Sequence, residues 1–357
     1  MTGLKSGPIF TAAKAEEGSM NRGILTLSRI VFTGRRGLAG RFVPGAAALL
    51  LLLPFLSVRG QEESSVNANL DKCIMNVDGN PDEEVQTCTA AIVSGVLSET
   101  NRRAAYNDRG IAYRNKNDLD SAIADFNSAL AINPNDDKVL NNRGAAYMYK
   151  GDNDSAIRDY DHAIMLNPDY FIAIKNRGAA YVNKGDYDRA LKDYDRALEL
   201  NPQHPFALQT RGILHFFMGD YQGALQDETS AMQADPTDGY SVIWLYLAQT
   251  RSGLKAQSQL ADNAAKLNLE NWPGPVIQVF LGKADPEGLI ALGKASNPKY
   301  AVDRTCEANF YLGERSLVNG SKEEATREFR AAVATGAKTN FEFRGAEVEL
   351  ERLTAQK

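Results

Sequence analysis

From about residue 103 onward, apolar and polar positions recur every 34 residues. In one such stretch Ala156, Tyr160 and Ala163 stand four and three residues apart, which is one face of an amphipathic helix. The alanines of that face return as Ala122 and Ala129, as Ala190 and Ala197, and as Ala224 and Ala231. Twelve residues ahead of the first alanine of each face lies a glycine: Gly110, Gly144, Gly178 and Gly212. The words "KGD" (Lys150–Asp152) and "LNP" punctuate the pattern, and Pro134, Pro168, Pro202 and Pro236 keep its step. Lys150–Asp152 breaks one helix and caps the next through Asp152 or Asp154. A proline pushes the residue before it out of helical geometry and so closes the second helix. Each period is therefore a helical hairpin that cannot bury its apolar face alone, and a fixed period with several positions in phase marks a repeat array. A glycine inside a helix costs roughly 1 kcal/mol against alanine. The pattern assigns that cost to the close approach of a neighbouring helix, with Ala156 expected opposite Gly144.

The hexapeptide "NRGAAY" occurs at Asn142–Tyr147 and again at Asn176–Tyr181. It raises a choice between a repeated ligand site and structural punctuation. Arg109, Arg143, Arg177 and Arg211 precede the four glycines, and Asp125, Asp159, Asp193 and Asp227 follow in the same phase. The pattern predicts that these arginines pair with these aspartates as a structural ladder rather than a binding site.

The frame of Gly144, Tyr147, Ala156, Tyr160, Ala163 and Pro168 resembles the tetratricopeptide repeat, in its Asn-Arg-Gly variety. Four copies cover 103–236. The first has Asn117 for the loop glycine, and the fourth has His215 for the tyrosine and Glu228 for the aromatic. A fifth copy, out of phase, carries Gly313, Gly320, Ala325, Phe329 and Ala332. The resemblance implies an all-α solenoid of helical hairpins, a right-handed superhelix ended by a C-terminal capping helix.

The first sixty residues differ. No acidic residue lies between Gly18 and Gly60, while arginines recur, and "GAAALLLLLPFLSV" makes an apolar run of fourteen. A membrane span needs about 20 such residues, so the run suits a signal-peptide core, with cleavage before Gln61 and Met20 as an alternative start. Two other readings stay open: retention as an anchor through residues 43–58, and an organelle transit peptide. The chain thus divides into a leader (1–60), an N-terminal helical hairpin (61–102), four repeat units (103–236), an irregular helical segment (237–300), and a fifth hairpin with its capping helix (301–357). The expected location is the periplasm or outside the cell. Removing residues 1–60 leaves 32 basic and 43 acidic residues, and a net charge of −11 argues against nucleic acid as the main partner.

Of three cysteines, Cys73 and Cys88 bracket a turn, "VDGNPDEE", and in an oxidising compartment read as a disulfide; the other reading is two buried thiols. Cys306 is left over as a core residue. Four zinc ligands do not occur at a workable spacing. His162, His204 and His215 are the only histidines, and neither a nucleophile elbow nor a phosphate loop is present. No catalytic residue, metal, cofactor or small-molecule substrate is therefore expected.

What remains is a surface. In tetratricopeptide repeats the first helix of each hairpin lines a concave groove. By phase, the groove takes Asn107, Ile111 and Arg114 from the first unit, and Lys138, Asn141, Ala145 and Met148 from the second. The third contributes Lys175, Ala179 and Val182, and the fourth Phe206, Gln209, Ile213 and Phe216. Apolar anchors with amides for backbone contacts suit a peptide; against this, Phe216 and Phe217 are equally open to burial under the helices that follow. The carboxylate clamp of chaperone-binding repeats needs a Lys and Asn pair where Asn107 and Ile111 stand. "WLYLAQTRSG", "NWPGPVIQVFLGKADPEGLI", "CEANFYLGERSLVNG" and the terminal "EFRGAEVELERL" resemble NlpI-type periplasmic adaptors. That resemblance implies a dimeric, non-enzymatic scaffold joining cell-wall hydrolases to a protease, although the lipid-attachment cysteine is missing. The rivals are a membrane-anchored assembly or chaperone-like factor, and an enzyme housed in 237–300.

Overall fold

The computed structural model describes residues 70–73, 79–338 and 340–355, and among them only helices, turns and coil occur. The leader 1–60, its cleavage point and the anchor reading of 43–58 lie outside the described residues. Among the described residues no helix is long and apolar enough to cross a membrane.

Four hairpins follow one another. They pair α2 (Glu99–Asn115) with α3 (Leu119–Ile132), α4 (Asp137–Tyr149) with α5 (Asn153–Leu166), α6 (Phe171–Asn183) with α7 (Tyr187–Leu200), and α8 (Pro205–Met218) with α9 (Tyr221–Ala234). Ahead of them α1 (Pro81–Val93) packs on α2 around a separate small core, in which Cys73 and Cys88 are joined by a disulfide. One continuous core then runs from Ala122 to Ala346.

The punctuation has a local cause in each unit. Asp118, Asp152, Asp186 and Asp220 cap α3, α5, α7 and α9, their carboxylates accepting the N–H three residues on at 3.0 to 3.2 Å. Asn133, Asn167, Asn201 and Asp235 end the same helices in extended geometry, each ahead of its proline. The turn within each hairpin passes through the left-handed region, where Gly151 has φ +86° and Asn117 stands in the first unit at +63°.

The mid-helix glycine answers to the aromatic sixteen residues on, not to the alanine. A Cβ placed on Gly144 would stand 2.8 Å from the Tyr160 ring, and one on Gly110 2.7 Å from Phe126. Ala156 is buried as expected, but the ring of Tyr160 is the bulk that fills the space over the glycine.

The segment 237–300 is more regular than its sequence implies. Helix α10 (Gly239–Arg251) starts 34 residues after α8 and packs on α9, so it is the first helix of an in-phase fifth hairpin. Its partner α11 (Gln257–Ala264) is short, and α12 (Gly274–Phe280) and α13 (Pro286–Lys294) follow. The hairpin α14 (Ala301–Val318) and α15 (Lys322–Ala334) repeats the glycine–aromatic contact with Gly313 and Phe329.

The closing helix α16 (Phe341–Ala355) returns to the repeats instead of merely ending them. Arg344 donates to the carbonyl of Asn183 at 2.9 Å, at the end of α6, and Arg352 to that of Phe217 at 2.5 Å, at the end of α8. Helix C-termini present carbonyls with no intrahelical partner and partial negative charge, and both arginines satisfy them.

Candidate partner-binding groove

The first helices α2, α4, α6 and α8 share one edge of the array, and an arginine braces each. Arg109, Arg143, Arg177 and Arg211 hold Asp125, Asp159, Asp193 and Asp227 through Nε and Nη2 at 2.6 to 2.9 Å. The remaining nitrogen, Nη1, donates sixteen residues backward into the preceding hairpin for three of them: to Asn127 at 2.7 Å, Asp161 at 2.7 Å and Asp195 at 2.8 Å. Arg109 reaches Thr89 of α1 in the same way at 2.9 Å. Every arginine is thus bidentate within its hairpin and a tie to the one before. The aspartates are buried, and these pairs brace the helices of the array.

On the neighbouring face, in-phase amides join the first helices. Asn142 donates to Asn107 and Asn176 to Asn141, each at 3.0 Å, and Gln209 donates to Ser241 at 3.0 Å and to Asp238. Asn107 and Asn141 therefore spend their side-chain oxygens on inter-unit bonds.

Burial divides the residues that phase places in the groove. Asn107, Ile111, Arg114, Lys175 and Phe206 are half-buried and Lys138 is exposed. Asn141, Ala145, Met148, Ala179, Val182 and Gln209 are buried, closed off by the neighbouring units. Ile213 and Phe216 are 1% exposed and cannot meet a partner, which corrects the expectation of an apolar anchor there. The physical reason is the fifth hairpin: Phe216 lies edge-on to Tyr221 and to Trp244 of α10, both at 5.3 Å, under the Arg251 guanidinium. The accessible stripe is cationic and aromatic, with the Lys175 ammonium 5.4 Å from the Phe206 ring centre and 5.9 Å from that of Phe171.

Two residues stand apart from the repeat pattern. His204, assigned only to a connection by sequence, caps α8 by accepting the Ala207 N–H at 3.3 Å. Glu228 occupies the aromatic position of the fourth unit, wholly buried, with neither carboxyl oxygen hydrogen-bonded. Burial, with Asp238 and Asp227 nearby, pushes its carboxyl well above the usual range. Its signal was the break in phase at an otherwise aromatic position. Cys306 is buried in α14, and burial pushes its thiol up to about 12, far from a reactive thiolate. Among the described residues no cluster of histidine, cysteine or carboxylate side chains is arranged to hold a metal.

A stack of two-helix units with a braced first-helix edge defines a helical-repeat scaffold, the fold of protein-interaction modules. Residues 137–170 and 172–204 match the tetratricopeptide repeat model, and 110–151 match a second model of the same repeat. Residues 110–204 of this chain therefore carry tetratricopeptide repeats. Solved structures share its fold. A tetratricopeptide repeat protein from Parabacteroides merdae superposes with a TM-score of 0.50 at 21% identity, over 80% of this chain and 98% of that one. PilF of Pseudomonas aeruginosa does so with a TM-score of 0.52 at 16% identity, over 63% of this chain and all of its own, 100%.

Proposed function

We propose that this protein is a non-enzymatic adaptor that holds a flexible segment of a partner protein along the first-helix edge of its repeats. The observation that carries the reading is the accessible stripe of Asn107, Arg114, Lys138, Lys175 and Phe206, set on helices that the arginine ladder fixes in register. Cations beside aromatic and amide groups favour an extended segment with acidic side chains over an apolar helix. The face that Phe216 was expected to provide is used inside the protein, which moves the partner toward Lys175 and Phe206. Holding two proteins at once raises their effective concentration without chemistry.

The location proposed is the periplasm or the cell exterior, and the words of residues 240–350 support an NlpI-like role joining wall hydrolases to a protease, in a homodimer. The intact mass of the mature chain tests the first part: a chain beginning at Gln61 agrees with export, whereas one retaining 43–58 places the protein as a membrane-anchored assembly factor. Capture from a periplasmic extract tests the second. Lys175→Glu is expected to lose the partners that the wild type retains, and undiminished capture would move the partner face elsewhere.

A further inference from the structure

Helices α14 and α16 run side by side with two pairs of carboxylates in their seam. Glu307 and Glu314 lie seven residues apart on α14, and Glu342 and Glu349 seven residues apart on α16; all four are buried. A seven-residue step returns a side chain to the same face of a helix, so the two glutamates of each helix share one face.

The two pairs are treated differently. Cations compensate the Glu314 and Glu349 pair: Arg251 donates to Glu314 at 3.2 Å and to Glu349 at 3.1 Å, and Arg352 also bonds Glu349. Among the described residues no cation bonds Glu307 or Glu342. Glu307 accepts only from Tyr240 of α10 at 2.9 Å, from Trp272 at 2.5 Å and from Asn340 at 3.3 Å. Glu342, 0% exposed, accepts from Tyr311 at 2.5 Å, and its other oxygen has no partner. Asp303 and Cys306 complete the titratable groups facing the pair, and Asp303 is itself half-buried with its carboxyl raised by burial. Burial in one seam without a cation pushes both carboxyls toward the protonated form.

Apolar packing shares the start of this helix with them: Phe341, Phe343 and Ala346 are all buried in the main core. Gly345 seats α16 on the rings of Phe310 and Phe217, where a Cβ would stand 2.7 and 2.8 Å away, beside the Arg344 bond to Asn183, and the Arg352 bond to Phe217 lies further along.

We propose that the α14–α16 seam is a proton-operated latch, in which protonation of Glu307 and Glu342 tightens the docking of the closing helix on the repeats and their deprotonation loosens it. Burial pushes Glu307 up to about 7 and Glu342 up to about 8, even though Glu342 lies in the first turn of α16, where the helix dipole favours its anion. A carboxyl raised in the docked state contributes docking that is complete below its free value of about 4.3 and is lost as pH rises through the docked value. This contribution to docking is therefore lost as pH rises from about 4.3 to about 8.

Amide hydrogen exchange of the full chain between pH 5.5 and 7.5 tests the latch, each rate divided by its intrinsic rate. Protection of residues 343–355 is expected to fall about tenfold per pH unit for each shared proton, while α4 and α5 keep theirs. Glu342→Gln and, separately, Glu307→Gln are expected to flatten that slope, each leaving the other carboxyl without a like charge opposite. Wild-type α16 protection that is independent of pH would overturn the proposal. So would a slope unchanged in both variants, or one shared equally by α4 and α5.

Discussion

Arg177 holds Asp193, sixteen residues ahead, through two hydrogen bonds of 2.9 and 2.6 Å, and touches Asp161, sixteen residues behind, through a third of 2.7 Å. One guanidinium thus closes its own hairpin and fastens it to the preceding one. Burial pushes the Asp193 carboxyl above its ordinary value against the pull of Arg177. The pair therefore specifies geometry more than it adds net stability. Arg177→Ala, which leaves Asp193 buried and unpaired, is expected to cost about 3 kcal/mol. The double variant Arg177→Ala with Asp193→Ala is expected to lose less than the single one in denaturant melts. Equal or greater loss in the double variant would contradict this.

Gly144 and Tyr160 form a size-matched pair. Alanine at 144 gains roughly 1 kcal/mol of helix propensity, but its Cβ would press on the Tyr160 ring at 2.8 Å. Overpacking a dense core costs about 1–3 kcal/mol, so Gly144→Ala is expected to lower the melting temperature. Adding Tyr160→Leu makes room, and calorimetry is expected to show Gly144→Ala less harmful on that background than alone.

How much of this was legible in the sequence follows from where each signal resides. The hairpins and the Arg–Asp ladder lie in residue types that recur every 34 positions, so period and charge together reveal them. Helix α10 keeps the step but not the residues: Leu245, Tyr246 and Ala261 stand where arginine, glycine and aspartate are due. The Tyr246 ring lies 5.1 Å from that of Phe280 on α12. The docking of α16 was invisible because its arginines bind the backbone carbonyls of Asn183 and Phe217, which carry no sequence signature. The burial of Phe216 depends on Trp244, a residue outside the four recognised units.

Glu228 makes stability depend on pH. Its folded-state proton affinity is raised by burial, so its contribution is complete below the unfolded value of about 4.3 and is lost as pH rises, at about 1.4 kcal/mol per unit up to the folded value. Glu228→Gln is expected to melt close to the wild type at pH 5 and clearly above it at pH 8. A variant less stable than the wild type at pH 8 would mean that the carboxylate has a partner.

The bond between Cys73 and Cys88 spans 15 residues, and closing a loop of that length constrains the unfolded chain by about 3 kcal/mol. Cys73→Ser with Cys88→Ser is expected to loosen α1 first, because that core is separate from the main one. Limited proteolysis near residues 81–93 reads this directly, and denatured, unreduced protein is expected to release one thiol from Cys306.

The central claim is that the first-helix stripe meets the partner. A photoreactive amino acid placed at Lys138, on α4, is compared with one at Lys192, exposed on the second helix α7. Irradiated in a periplasmic extract, position 138 is expected to crosslink a partner protein and position 192 to give none. Crosslinks of the same protein from 192 and not from 138 would contradict the account.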